Sequence, residues 1–204
     1  MTTSEGIEVT VRALVANGAA LQHMVNTLTT LFGQGTEIDV FHEVLLFKPQ
    51  QQQGNMNFVN RDVRVSIEYR TGGIIVRHVG SPITGTKNIE RPIEAHQVAK
   101  TNVAEANIRR LFQKSGFEVT GDFAKKGLEF KTRTGASISI TRPYNAALNI
   151  DQMSVSGSPS WEPLGGQLPF GQDYLVELSQ MASSENHVQS LAEELNGLLN
   201  RVSI

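Results

Sequence analysis

The sequence predicts an α+β fold with a predominantly antiparallel sheet, and three observations carry that expectation. Several segments alternate apolar and polar residues with a period of two, most cleanly where Val63, Val65, Ile67 and Tyr69 interleave with Arg64, Ser66, Glu68 and Arg70. Helical periodicity is confined to an N-terminal, a central and a C-terminal stretch. Strand and helix patterns do not alternate regularly, so the βαβ units of a parallel sheet are not expected.

The elements follow in order. Ile7, Val9 and Val11 alternate with Glu8, Thr10 and Arg12, a half-buried first strand ended by Asn17-Gly18. Leu21, Met24, Val25, Leu28 and Leu31 then share one face of a helix closed by Gly33. Thr27, Thr29 and Thr30 are unusual in that helix, because β-branched residues lose rotamer freedom there. Two readings stand: a mediocre helix rescued by packing, or a helix contacted on two sides. A second strand spans about Ile38 to Phe47 with apolar residues on both faces, which predicts cover on both sides. Residues 50–57 form a polar, low-complexity loop. The Val63 strand turns through Thr71-Gly72-Gly73 into Ile74-Ile75-Val76 as a hairpin. Residues 81–92 read as loop, and Ile93 to Ala99 as a further strand.

The stretch from Asn102 to Arg142 holds several concordant local signals. Asn102 and Glu105 match a capping box that would start the central helix. Its apolar residues are Ala104, Ile108, Leu111 and Phe112, and Gly116 suits a left-handed cap. Phe117 and Val119, then Leu128 and Phe130, then Ile138 and Ile140 predict a meander with turns at Gly121-Asp122 and Thr134-Gly135. Residues 143–172 form a long irregular connection, with one strand near Ala147 to Ile150. A strand from Tyr174 to Gln180 precedes a terminal helix, capped by Ser184, whose stripe is Val188, Leu191, Leu195, Leu198 and Val202. That stripe is too short for an independent coiled coil, so the helix should lie across the sheet.

Composition excludes several functions. The 204 residues suit a single domain, 1–204, with enough chain for a sizeable core. Eighteen Lys and Arg against 20 Asp and Glu give a net charge of −2, which offers no footprint for a phosphate backbone. Basic residues do cluster at Arg109, Arg110, Lys114, Lys125, Lys126, Lys131 and Arg133, but Glu105, Glu118, Asp122 and Glu129 dilute them; no sequence-specific nucleic-acid binding is expected. The absence of cysteine excludes disulfides and thiolate metal sites. No basic leader precedes an apolar segment and no apolar run approaches a membrane span, so a soluble intracellular protein without membrane association is expected.

Catalytic signatures are missing. Gly80 to Lys87 nearly matches a phosphate-binding loop, but Thr86 and Lys87 stand in exchanged order and no helix start follows. The five histidines, at 23, 42, 78, 96 and 187, show no metal-ligand spacing, and no serine occupies a nucleophile elbow. No cofactor is implied.

Four segments carry a family resemblance: Gly116 to Val119 with Phe123 to Phe130; Asn26 to Thr30; Val79 to Pro82 with Lys87-Asn88; and Tyr174 to Leu178. Taken in order along the chain, they resemble Mediator subunit 18, a component of the Mediator head module. The resemblance implies a β-barrel-like domain with three helices and no catalysis, located in the nucleus. Its implied partners are the related barrel of Mediator subunit 20, a C-terminal helix of Mediator subunit 8, other head subunits and RNA polymerase II. It is this resemblance, rather than the pattern, that selects a barrel over an open sheet.

Two alternatives stand beside it. Barrels of the triphosphate-tunnel type hold divalent metal and polyphosphate on interior carboxylates, with alternating Glu, Glu and Lys on their first strand. Here the comparable residues are Glu8, Thr10 and Arg12, so the middle carboxylate is missing, and Glu177 is the one acid of the last strand. The charges at Arg64 and Glu68, or Glu129 and Lys131, also fit an ordinary solvated face. The second alternative is a helix-binding adaptor outside Mediator. For an interaction module, the candidate partner-binding residues are Thr27 with Thr30 and Leu31. A threonine on the helix flank offers both a methyl and a hydroxyl to a neighbour.

Overall fold

The computed structural model describes residues 3–16, 18–47, 62–68, 73–83, 93–103, 108–145, 162–163 and 173–202. In chain order these form β1 (Thr3–Val15), α1 (Ala19–Phe32), β2 (Thr36–Phe47), β3 (Asp62–Glu68), β4 (Ile74–Pro82), β5 (Ile93–Val103), α2 (Ile108–Lys114), β6 (Phe117–Lys131), β7 (Ser137–Asn145), β8 (Glu162–Pro163), β9 (Tyr174–Ala182), a 3-10 turn (Glu185–His187) and α3 (Val188–Val202). All the strand pairings are antiparallel, in the order β6-β2-β3-β4-β5-β1-β9-β7-β8. Because β6 pairs with β7 as well as with β2, eight strands return on themselves as a barrel. The expected α+β architecture with three helices is therefore observed, and closure leaves few edges open to pairing with another chain.

Alternation along each strand separates two surfaces. Ile7, Val9 and Val11 on β1, Val176 and Leu178 on β9, Ile138 and Ile140 on β7 and Phe130 on β6 are buried in one cluster with Met24 and Leu28 of α1. Val188, Leu191, Leu195, Leu199 and Val202 of α3 complete it. An eight-stranded ring is too narrow inside to hold packed helices, so the helix-covered face is the outer one and the alternate residues line a lumen. α3 lies across β1 and β9, and α1 lies against β6 and α3.

Several local expectations are met at the backbone. Gly33 and Gly116 take positive φ after α1 and α2, and the Gly33 N–H donates to the Thr29 carbonyl. Gly135, at φ 90°, turns β6 into β7, while the Ala136 N–H donates to the Thr132 hydroxyl. The β3–β4 hairpin aligns Ile67 with Ile74.

Other expectations are corrected. Asn102 does not cap the central helix; it lies in β5 opposite Ile75, because the sheet extends β5 to Val103. α2 begins at Ile108, and its Leu111 is 57% exposed rather than apolar core. Gly121-Asp122 is not a reverse turn. β6 runs unbroken through it, and the register shifts opposite Val44 and Leu45, so Thr120 is the extra residue of a bulge. Ser184 makes no side-chain cap; its carbonyl accepts from the His187 N–H in the 3-10 turn. The α3 stripe passes through Leu199, fully buried, and leaves Leu198 half-buried, since 3.6 residues per turn drifts from a strict heptad. Ser81 and Pro82 belong to β4, and Pro143 to Asn145 to β7, so the two neighbouring loops are shorter than expected. The 50–57 loop, the 147–150 strand and residues 84–92 lie outside the described residues, as does the side-chain cover of β2 beyond Ile38.

Three substitutions test this packing. Leu195, 1% exposed among the core leucines, is expected to cost about 2–5 kcal/mol when replaced by Ala. A Cβ on Gly127 would collide with the Ile140 carbonyl oxygen, whereas one on Gly197 would meet nothing within 4 Å. Urea midpoints should therefore fall for Gly127→Ala and rise for Gly197→Ala, the latter by up to about 1 kcal/mol of helix propensity.

Candidate functional site

The lumen face follows from the register. Glu8 stands opposite His96, Thr10 opposite Glu94 and Ser179, Arg12 opposite Glu177, and Arg77 opposite both Arg64 and Lys100. Glu177 faces Ser139, and Glu129 faces Ser139 from the other side. Contacts that skip a strand show that these side chains converge. Arg77 on β4 pairs with Glu8 on β1 across β5, and Lys125 on β6 reaches Glu177 on β9 across β7 at 2.9 Å. Neighbouring strands are spaced about 4.8 Å apart, so such reach requires the concave side.

Two carboxylates act as hubs. Glu8, 5% exposed, is bound by Lys100 at 2.8 Å and by Arg77. Glu177 accepts from Arg12 Nε and from Lys125 Nζ, each at 2.9 Å. Arg12 joins Glu177 to Glu94, and Glu94 lies 3.9 Å from His96 Nε2. His96 Nδ1 donates to the Gly80 carbonyl at 3.0 Å.

Burial and charge act against each other here. Burial pushes the Glu177 carboxyl up, but Lys125 and Arg12 outweigh it and hold it at about 2. Glu94 shows the same contest with Arg12, and Glu129 with Lys131 and Ser137; both end below the ordinary carboxylate value. Burial would lower Arg12, yet Glu94 and Glu177 raise it. Arg77 is lowered by burial, helped by repulsion from Arg64 and Arg12 against the attraction of Glu8 and Glu177. Arg77 thus shares one space with charges from β1, β3 and β9.

The sequence-derived candidates fall in two places. Glu8, Thr10 and Arg12 do share the lumen face, and Glu177 joins them. Among the described residues no three His, Asp or Glu side chains converge in a geometry that could hold a metal ion. Arg64 belongs to this charged interior rather than to a solvated sheet face, and Lys125 leaves the linear basic cluster for the lumen while the neighbouring Lys126 is exposed. Sequence reasoning missed Arg77, Lys100 and Glu94. Their alternation with apolar residues was visible, but only strand pairing tells which alternating charges meet.

Thr27, Thr30 and Leu31 lie on α1, away from the lumen. Thr27 is half-buried, Thr30 exposed and Leu31 54% exposed, so Leu31 lies outside the core face formed by Met24 and Leu28. Thr29 and Thr30 donate their hydroxyls to the Val25 and Asn26 carbonyls, at 2.8 and 2.9 Å. Such back-bonding accommodates threonine on a helix surface.

The Glu177 hub predicts a pH dependence. Its folded value of about 2 lies below the ordinary 4.5, so its contribution is full above 4.5 and is lost as pH falls through the folded value. At about 1.4 kcal/mol per unit the loss is about 3 kcal/mol. Urea midpoints measured from pH 6 to pH 2.5 should fall for the wild type. Glu177→Gln should flatten the slope, leaving the part due to Glu94 and Glu129.

No family model matches the chain, and no curated protein sequence matches it. Solved structures do share its architecture. A chain of the Schizosaccharomyces pombe Mediator head module superimposes with a TM-score of 0.66 at 14% identity, covering 96% of this chain and 92% of that one. The PH1819 protein of Pyrococcus horikoshii gives 0.59 at 10% identity, over 97% and 90%. The triphosphatase of the Mimivirus capping enzyme gives 0.53 at 15% identity, over 98% and 91%. At these identities the likeness shows the fold, a barrel common to a Mediator head component and to triphosphatases.

Proposed function

We propose that this protein is a non-enzymatic subunit of the Mediator head type, resembling subunit 18, and that it serves in the nucleus as an interaction scaffold coupling regulators to RNA polymerase II. Its partners in this reading are the related barrel of subunit 20, a C-terminal helix of subunit 8 and other head subunits. The supporting observation is the state of the lumen. A hard divalent cation needs several free carboxylate oxygens. Here Thr10 takes the middle position on β1, Glu8 is held by Lys100 and Arg77, and Glu177 is held by Arg12 and Lys125. The residues two before and two after Glu177 are Leu175 and Ser179, so β9 offers no second acid beside it. The segments that resemble subunit 18 add a second, independent support.

Docking is assigned to the flank of α1. Met24 and Leu28 already seat this helix on the barrel, which leaves Thr27, Thr30 and Leu31 available to a partner surface.

Two measurements test the proposal. Purified protein with magnesium or manganese should release no phosphate from nucleoside triphosphate or inorganic tripolyphosphate. Turnover that Glu8→Gln abolishes would instead establish the triphosphatase reading. Affinity purification from cells of the source organism should recover Mediator subunits. Thr27→Glu should lose them while the Tm stays within a few degrees of wild type. Wild-type recovery by that variant, or its outright unfolding, would move the docking surface away from α1.

A further inference from the structure

We draw no further inference here: the strongest candidate, the cluster of Arg64, Arg77 and Lys100 on the β3–β4–β5 wall of the lumen, belongs to the ion-pair network already described as the candidate site.

Discussion

Closing eight strands into a ring turns every second side chain toward a shared interior, and the charges placed there pair with one another. Glu177 and Arg12 are central to that requirement. Arg12 spans the seam between β1 and β9 and also engages Glu94 on β5, while Glu177 draws in Lys125 from β6. Four strands are thereby tied through two side chains. Removing one member would leave its partners charged and desolvated, which is costlier than never having had the pair. The lumen is therefore a polar core in its own right, set against the apolar one outside the ring.

The outer surface obeys the opposite rule. Apolar residues of β1 and β9 meet α3 along a nearly complete stripe, so α3 is committed to the fold. α1 is attached more narrowly, through Met24 and Leu28, with Leu21 and Val25 half-buried beside them. One helix thus buries most of its apolar stripe, and the other leaves Thr30 and Leu31 exposed.

Period-two alternation made most of the strands legible, because burial on one face imposes it directly. Boundaries failed where tertiary context overrode a local signal. Asn102 carries good capping chemistry, yet the ladder with Ile75 claims its backbone. Gly121-Asp122 has turn composition, but β6 passes through it with a bulge at Thr120 and does not reverse. The site was legible only in part. Glu8, Thr10 and Arg12 could be placed on one face of one strand, whereas their meeting with Arg77, Lys100 and Lys125 depends on strand order and curvature. Alternation alone cannot distinguish a lumen from a solvated face, since both want charge.

The position of β1 in the sheet also sets the order in which the barrel can be completed. Its two neighbours are β5 and β9, so the first strand of the chain is flanked by partners that arrive far later in sequence. At about 5–20 residues per second, the ribosome would need roughly ten to thirty seconds to go from the end of β1 to the start of β9. During that interval β1 has at most one partner, and the apolar face destined for α3 is uncovered. The ring cannot close until β9 has been made, because β9 joins β1 to β7. A newborn chain therefore exposes, until β9 and α3 have been made, an edge that the finished barrel hides.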